Sequence, residues 1–349
     1  MKKKRILELD AFRGIAAVFV VAFHLSIHTA YSNSIFRFGG TGVDLFFMIS
    51  GYVIFLTLNK VQSWKDFVVS RFARLYPAFW AAVLFTTVLY LVSHTAFTLK
   101  MFLGNLTMIP NILAVPMLDA SYWTLSVEVV FYIIMLMAFL SKQLSRIEIW
   151  AAFGLVIELL YYLSTAFFPI KVVQSIAGRI EFLNACPLFM AGIIFYNIHT
   201  KGASFYRYAL LLFCFIVATL LHSTSHLVLR MNEFEHGGIL LVYMCMFMLF
   251  VNNRIGWIVN KATLFLGKIS YSLYLIHQFL SVNILLPYFV NKLQINQIAA
   301  CIMCFAIAIA TASVFAFLIE MPSSDFVRKM YKGKLKNKAD PGEISIPTN

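Results

Sequence analysis

The chain has 349 residues, of which 61% are hydrophobic and only 12% are charged, and its formal net charge is +13. A soluble domain of this length would have roughly a quarter of its residues charged, so the composition excludes a soluble globular protein and predicts an integral membrane protein. The basic residues are scattered over short connections rather than gathered on one face, which argues against a nucleic-acid-binding protein.

The N-terminal segment is similar to a secretory signal peptide, because Met-Lys-Lys-Lys-Arg comes shortly before an apolar run that starts at Ala11. However, Arg13 and His24 interrupt that run, and no convincing small-residue cleavage site follows it. We therefore expect an uncleaved first membrane helix.

Apolar segments whose length is close to the ~20 residues needed to cross a bilayer recur along the whole chain. We predict an all-α, polytopic integral membrane protein with about ten transmembrane helices. The predicted spans are 11–30, 41–58, 76–93, 122–140, 150–168, 181–197, 207–222, 237–252, 269–288 and 297–319.

The distribution of positive charge predicts the orientation. If the N-terminus is cytoplasmic, outer connections hold only 6 of the 28 basic residues. Cytoplasmic loops are enriched in Lys and Arg, so we predict that both termini are cytoplasmic. An odd number of spans would destroy this bias.

The remaining segments fit this topology. Residues 62–75 are amphipathic and predict a helix lying at the inner interface, followed by a new span after Pro77. Residues 94–121 form the longest outer connection. We predict one membrane domain, residues 1–325, and a basic disordered tail, residues 326–349, that rests on anionic lipid.

The five cysteines all lie in apolar segments. Cys301 and Cys304 form a CxxC pattern, but inside an apolar helix this spacing favours packing over redox or metal chemistry. We expect neither a disulfide framework nor a metal site.

The first helix carries ionisable residues on one face. Arg13 and His24 are about 20° apart in azimuth and roughly 16 Å apart along the axis, and Asp10 and His28 fall near the same face. Ionisable groups inside a membrane are costly and mark function by default. The pattern predicts a polar cavity with a cation at its entrance and an imidazole at depth, which suits a long anionic substrate. The alternative is that Arg13 snorkels to headgroups and His24 bonds a neighbouring helix.

Other spans contribute further polar groups. Two spans carry polar stripes at helical spacing, namely Ser121, Thr124 and Glu128 in the fourth, and Ser270, Tyr274, His277 and Ser281 in the ninth. Hydrogen bonds between helices alone would explain the ninth-span stripe. Asp44 opens the second span, and the pair Ser50–Gly51 permits close helix approach. Arg71 and Arg74 form a cationic fork that suits either anchoring to the inner leaflet or binding of a phosphorylated ligand.

Five sequence blocks in this order resemble acyltransferase family 3, the bacterial integral-membrane O-acyltransferases that modify sugars. The blocks are LDAFRGIAAVFVVAFH, GGTGVDLFFMISGYVI, SRFARLYP, YWTLSVEVVFY and GKISYSLYLIHQ. The resemblance covers residues 7 to about 325 and implies the ten-helix plan of that family. Some relatives carry an extracellular esterase-like domain after the tenth span, which this sequence does not show, so we expect the membrane domain to act alone or with a separate partner.

The resemblance implies transfer of an acyl group, usually acetyl, from cytoplasmic acyl-CoA to a sugar hydroxyl. Arg71 and Arg74 would hold the CoA phosphates, and Arg13 would steer the ligand inward. His24 would act as general base, or would carry the acyl group covalently, and Glu128 would orient the imidazole or bond the acceptor. Ser50, the Gly51 amide and Tyr274 are the candidate oxyanion donors, and Asp44 and His277 are further candidates for substrate contact.

Two other functions stay open on the sequence alone. A transporter of a sugar–lipid intermediate or an organic anion would also have a polar intramembrane stripe, although the repeats typical of transporters are not evident. The third alternative is a structural or sensory membrane protein without turnover, and the cost of holding Arg13, His24, Glu128 and His277 within the bilayer argues against it. We expect acyl-CoA as co-substrate, no permanently bound cofactor, and a saccharide or lipid-linked saccharide acceptor. We also expect a multi-pass location in a bacterial cytoplasmic membrane.

Overall fold

The protein is an all-helical bundle in the parts of the chain that can be described. The computed structural model describes residues 5–167, 182–224 and 230–339, and these ranges contain no strand. Within them, ten helical segments are long and apolar enough to cross a membrane. The prediction of a polytopic α-helical membrane protein is confirmed. The predicted last residue of the fifth span, 168, and the predicted first residue of the sixth span, 181, lie outside the described residues.

Twelve α-helices follow one another within the described ranges. Their bounds are α1 Leu7–Ser26, α2 Gly42–Leu58, α3 Trp64–Val92, α4 Leu99–Leu106, α5 Trp123–Leu140, α6 Ile147–Phe167, α7 Phe182–Lys201, α8 Phe205–Leu220, α9 Glu233–Val251, α10 Lys261–Gln278, α11 Gln297–Phe315 and α12 Met321–Ala339. All except α4 and α12 correspond to the ten predicted spans.

Two helix pairs form the most closely packed part of the bundle, α1 with α10 and α2 with α7. In each pair, a glycine of one helix lies against the backbone of the other helix. A methyl group at Gly267 would lie 2.1 Å from the carbonyl oxygen of Asp10, and one at Gly51 would lie 2.1 Å from the carbonyl oxygen of Phe189. Small residues let membrane helices approach to backbone contact, as the Ser50–Gly51 pair predicted for α2.

Helix α3 differs from its prediction. Residues 62–75 do not form a separate interfacial helix, because α3 is one continuous helix with Pro77 inside it. Ser63 caps its start by accepting hydrogen bonds from the amides of Lys65 and Asp66. Proline is tolerated inside a membrane helix where neighbouring groups satisfy the backbone. Near this proline, the Tyr271 hydroxyl also donates to the carbonyl of Leu75, which ties α3 to α10.

The connection between α3 and α5 runs back along the side of α3, with Leu99 and Leu103 exposed on its outer face. The Trp80 indole donates to the carbonyl of Leu106 at 3.0 Å, and the Tyr76 hydroxyl donates to that of Thr107 at 3.2 Å. Trp80 lies twelve residues before the end of α3, which is roughly 18 Å along the axis. Helix α4 therefore lies beside α3 well below its end, as a re-entrant segment does, and Asn105 fixes the chain's return by accepting from the amide of Leu118 at 3.0 Å.

The last two spans are longer than predicted. Helix α10 starts at Lys261 instead of 269 and continues with π-helical turns to Lys292. A π-helical turn, Ala316–Glu320, joins α11 to α12, and α12 remains helical to Ala339. The expectation that the tail is disordered from residue 326 is therefore wrong for residues 326–339. Helix α12 packs against α3, which gives it a stable neighbour.

Residues from both ends of the described chain meet at one end of the bundle. Arg5 and Asp10 line a cavity together with Glu320 and Arg328. We call this end of the bundle the basic end. We call the other end, where α1 finishes and α2 starts, the opposite end. An even number of spans brings the two chain ends together in this way. That the basic end is cytoplasmic stays a prediction.

Candidate active site

Three cavities follow one another through the bundle. The basic cavity, of about 300 Å³, is lined at the basic end by Arg5, Arg13, Arg74, Lys268 and Arg328 together with Asp10, Glu320 and Asp325. The middle cavity, of about 70 Å³, is lined by Arg13, Arg74, Ser50, Glu128 and Tyr274 among others. The histidine cavity, of about 180 Å³, includes His24, Asp44, His222 and His236.

Neighbouring cavities share walls. Arg13, Arg74, Ser270 and Tyr271 line both the basic and the middle cavity. Val43, Phe47 and Tyr274 line both the middle and the histidine cavity. The face of α1 predicted to be polar therefore borders one row of cavities, with Arg13 towards the basic end and His24 at depth. His28, predicted on the same face, is exposed beyond the end of α1.

Asp10 pairs with two arginines, Arg5 and Arg13, that line the basic cavity. Its carboxylate accepts a hydrogen bond from Arg5 and lies 3.6 Å from the Arg13 guanidinium. A carboxylate between two guanidinium groups offsets part of their repulsion and fixes their positions. The basic cavity has five cationic side chains and three carboxyl groups among its lining residues, so an anionic group is attracted there.

The hydrogen bonds of His24 leave one ring nitrogen for chemistry. Its Nδ1 lies 2.9 Å from the carbonyl oxygen of Val20 and 3.2 Å from Nε2 of His277. The His277 Nδ1 lies 2.9 Å from the carbonyl oxygen of Tyr274, so this nitrogen carries the proton and Nε2 accepts. His24 must then be protonated on Nδ1, and its Nε2 keeps a lone pair. His277 thus orients the His24 ring, a role that the sequence did not assign to it.

Glu128 does not contact the imidazole of His24. Its carboxylate accepts from Ser50 at 3.0 Å and from the Tyr132 hydroxyl at 2.5 Å, and it lines the middle cavity. The expectation that Glu128 orients His24 is wrong in this structure, because the two side chains line different cavities. Glu128 supplies negative charge beside the Arg13 and Arg74 guanidinium groups instead.

The two arginines of the cationic fork have different surroundings. Arg74 lines the basic and middle cavities, as a ligand-binding residue should. Arg71 lies 6.0 Å from the ring of Phe67 and 5.9 Å from that of Tyr132, and donates to Ser70. Arg71 is not among the residues that line the three cavities, so its guanidinium supports the Tyr132–Glu128 pair.

The oxyanion candidates are engaged elsewhere. Gly51 faces the backbone of α7, and Ser50 donates to Glu128. The Tyr274 hydroxyl donates to the carbonyl of Ser121 at 3.1 Å and lies 2.7 Å from Thr124 Oγ1. Tyr274 therefore forms part of the wall between the middle and histidine cavities, and Gly51 is a packing residue rather than an oxyanion donor.

Asp119 is a buried carboxyl that sequence reasoning missed. It precedes the span Ala120–Leu140 and accepts from the amide and hydroxyl of Ser121 and from the amide of Phe279. Burial raises the pKa of this carboxyl, and the hydrogen bonds from Ser121 and Phe279 oppose the increase. Asp119 ties the start of α5 to the end of α10. Asp119 lies in the connection of residues 94–121, which has no helical periodicity from which the position of its side chain could be inferred.

His222 and His236 were also missed. His236 Nε2 lies 3.0 Å from Asp44 Oδ2, and the rings of His222 and His236 stack with centroids 4.4 Å apart. The predicted eighth span began at 237 and left His236 outside the membrane. The sequence did contain an indication that this helix starts earlier than 237. Asn232 and Glu235 form a capping box, in which each side chain accepts from the other residue's backbone amide at the start of α9.

Comparison with known proteins identifies the family. A family model described as an acyltransferase domain matches residues 6–318. The chain belongs to acyltransferase family 3. The ten apolar helices and the family together make it a multi-pass membrane acyltransferase, which confirms the resemblance and decides against the transporter alternative.

Three relatives of this family 3 acyltransferase are informative. A candidate acetyltransferase, ORF330, of Acidianus two-tailed virus is 27% identical over 292 residues, which cover 79% of the chain and 84% of that protein. Peptidoglycan O-acetyltransferase OatA of Listeria monocytogenes is 31% identical over 98 residues, covering 26% of the chain and 15% of OatA. A candidate peptidoglycan O-acetyltransferase, YrhL, of Bacillus subtilis is 36% identical over 90 residues, covering 24% and 13%. No solved structure matches the chain significantly.

Proposed function

We propose that this protein is an integral-membrane O-acetyltransferase that moves an acetyl group from cytoplasmic acetyl-CoA to a hydroxyl of a saccharide. The observation that carries the proposal is the row of cavities from the cationic basic end to His24. The basic end faces the cytoplasm in this account, as the distribution of Lys and Arg favours.

The basic cavity fits the donor. CoA has several phosphate charges and a long, unbranched pantetheine arm. Arg74, Lys268 and Arg328 present guanidinium and ammonium groups for the phosphates at the entrance. Arg13 and Arg74 continue along the wall of the middle cavity, which at about 70 Å³ is the smallest of the three cavities. The thioester then reaches His24 in the histidine cavity, beyond the wall that this cavity shares with the middle cavity through Val43, Phe47 and Tyr274.

His24 supplies general base catalysis in this proposal. Its Nε2 accepts the proton of the saccharide hydroxyl as the oxygen attacks the thioester carbonyl. The new C–O bond forms, the C–S bond breaks, and the imidazolium returns its proton to the leaving CoA sulfur. The carbonyl of Val20 and Nε2 of His277 hold the ring in the required tautomer. A positioned base of this kind is typically worth 10²–10⁴ in rate.

The acceptor enters from the opposite end. The histidine cavity is built from the end of α1, the start of α2 and the starts of α5, α7 and α9, all of which lie there. Two relatives are named for O-acetylation of peptidoglycan, a saccharide polymer. We therefore infer a saccharide or lipid-linked saccharide acceptor, such as a unit of O-antigen, capsule or exopolysaccharide, and a location in a bacterial cytoplasmic membrane.

The test uses purified protein in lipid nanodiscs with radiolabelled acetyl-CoA and a crude membrane glycolipid fraction. The wild type should release CoA and label the saccharide, and His24→Ala should lower both rates by at least about 10² because the base is lost. Mass spectrometry of acid-quenched protein distinguishes direct transfer from an acetyl-histidine intermediate, which would add an acetyl group to His24.

The control is His28→Ala, because His28 is exposed beyond the end of α1 and should keep wild-type rates. A folded His24→Ala variant with full activity would refute the role of His24. A wild-type protein that binds acetyl-CoA but never releases CoA would refute the proposed function.

A further inference from the structure

Asp119 is a buried carboxylate whose hydrogen bonds reach the helix that carries His277. It is 2% exposed and accepts from the Ser121 amide at 2.8 Å, from the Ser121 hydroxyl at 2.6 Å and from the Phe279 amide at 2.9 Å. Each of its two oxygens thus accepts from a backbone N–H, which can donate but not accept. These donors stabilise the ionised carboxylate.

The amide that Asp119 binds belongs to the turn that follows His277. Phe279 is the first residue of the π-helical continuation of α10, and π-helical turns inside α-helices are frequent at functional sites. A second contact holds the same turn, because the Phe279 ring stacks on that of Tyr90 with centroids 4.4 Å apart. The Tyr90 hydroxyl in turn donates to the carbonyl of Leu118 at 3.0 Å. Asp119 and these contacts together fix the backbone next to His277.

The position of His277 decides how the His24 ring is held. The His277 Nε2 accepts from His24 Nδ1 at 3.2 Å, so a shift of the turn at Phe279 would move the bonded pair of rings. Asp119 is also one of the ionisable groups whose charge acts on that of His24. It supplies the negative charge, because the other two, His277 and His28, are imidazoles and can add only positive charge.

The transfer step places a positive charge on His24. When its Nε2 takes the proton of the acceptor hydroxyl, the neutral ring becomes an imidazolium inside the bundle, where an ion is costly, until the proton passes to the CoA sulfur. A fixed carboxylate lowers this cost in the transition state without having to move. No proton passes to Asp119, since donors on Ser121 and Phe279 occupy both of its oxygens.

We propose that Asp119 is a positioning residue for acetyl transfer, because it fixes the turn next to His277 and its negative charge stabilises the imidazolium of His24. The inference rests on the proposed function and adds a carboxylate to the pair of imidazoles. Asp119 lines none of the three cavities, so it acts through His277 and through its charge rather than by contact with a substrate. Its loss should therefore lower kcat and leave the KM for acetyl-CoA nearly unchanged.

The test measures CoA release and saccharide acetylation by purified protein in nanodiscs. Asp119→Asn keeps the shape of the side chain but not its charge, and should lower kcat by about 10–100-fold while changing the KM for acetyl-CoA less than about threefold. The matched control is Glu158→Gln, because Glu158 is also 2% exposed, but its carboxyl lies in α6 and bonds Cys186. It should keep the wild-type kcat.

Chemical rescue separates the charge of Asp119 from a purely structural role. Leu118 and Ala120, its chain neighbours, and Phe279, which bonds it, line a cavity of about 270 Å³ that formate can enter. In Asp119→Ala, formate should raise kcat by at least about tenfold, because it returns a carboxylate to the vacated space, whereas chloride at the same ionic strength should not. Melting temperatures in detergent check that both Asp119 variants are folded.

Each outcome distinguishes this inference from the proposed function. A wild-type kcat in Asp119→Asn would overturn the role of Asp119. So would a loss of kcat in Asp119→Ala that formate fails to restore, or that chloride restores equally, because Asp119 would then only hold the fold. If CoA release still depends on His24 in these cases, the proposed function stands and only this inference fails. If the wild type releases no CoA under any condition, the proposed function fails and this inference falls with it.

Discussion

The paired imidazoles of His24 and His277 show how a few hydrogen bonds select a reactive group. Each ring donates from Nδ1 to a backbone carbonyl of its own helix, Val20 for His24 and Tyr274 for His277. Because the His277 Nε2 also accepts from His24 at 3.2 Å, only the Nε2 of His24 is left to accept a substrate proton. Two neutral rings in contact also avoid the cost of placing two positive charges together in the bilayer.

The two arginines of α3 give a prediction at this scale. Arg74→Ala should raise the KM for acetyl-CoA by about 10–100-fold, because a hydrogen bond to a charged group is worth about 1.5–3 kcal/mol. It should also weaken the dependence of that KM on salt, since a phosphate-binding cation is lost. Arg71→Ala should lower thermal stability and change this KM less than threefold, because Arg71 packs on Phe67 and Tyr132. Steady-state kinetics at two ionic strengths test both variants, and equal KM increases would contradict the assignment.

The sequence located some residues of the site better than others. Ionisable and polar groups stand out in apolar helices, which is how the sequence located Arg13, His24, Glu128 and Tyr274. Each of the four lines at least one of the three cavities. Their partners were harder to predict, since helical periodicity gives a face but not the neighbour across it. Glu128 was therefore expected to orient His24 or to bond the acceptor, whereas in the structure it bonds Ser50 and Tyr132.

At the scale of helices, the closest contacts of the bundle place the site. Helix α1 carries His24 and helix α10 carries His277, and the two helices approach so closely that a methyl group at Gly14 would lie 2.7 Å from the carbonyl oxygen of Thr263. Backbone contact between α1 and α10 holds the two imidazoles at a ring-centroid distance of 5.0 Å. A change in the separation of these helices would therefore act on catalysis from a distance.

Gly267→Ala should destabilise the protein and lower activity. The added methyl group would meet the carbonyl oxygen of Asp10 at 2.1 Å, and a backbone atom cannot move aside as the end of a side chain can. Overpacking of this kind typically costs about 1–3 kcal/mol. The measurement is the melting temperature in detergent together with the rate of CoA release.

The matched control is Gly154→Ala in α6, where nothing lies within 4 Å of the added methyl group. It should keep or slightly raise stability, because alanine favours helix more than glycine does. Equal melting temperatures for the two variants would show that α1 and α10 are not in backbone contact.

Element boundaries were predictable where hydrophobicity changes sharply and less so elsewhere. The second span was predicted at 41–58 and α2 is Gly42–Leu58. Helix α3 was divided at Pro77 because proline usually ends a helix in water, whereas within the bundle the helix continues. The re-entry of α4 could not be inferred, since it depends on bonds from Trp80 and Tyr76 to distant carbonyl groups.

At the scale of the whole molecule, the bundle separates two kinds of environment along one axis. The basic cavity is rich in ionised groups, and the histidine cavity combines imidazole, indole and amide groups with apolar side chains. The middle cavity between them is lined by Phe46, Phe47 and Leu75 as well as by polar groups. This arrangement suits the proposed transfer between two substrates that enter from different ends of the bundle.

The central claim is that this axis carries the acetyl thioester from the basic end to His24. An electron cryo-microscopy structure in nanodiscs, with a non-hydrolysable thioether analogue of acetyl-CoA, tests it most directly. The account predicts phosphate density at Arg74, Lys268 and Arg328, the arm in the middle cavity, and the acetyl-equivalent carbon within about 3.5 Å of a position that a hydroxyl bonded to His24 Nε2 can reach. An analogue bound with its acetyl end outside this row of cavities, or at the face next to His222, would contradict it.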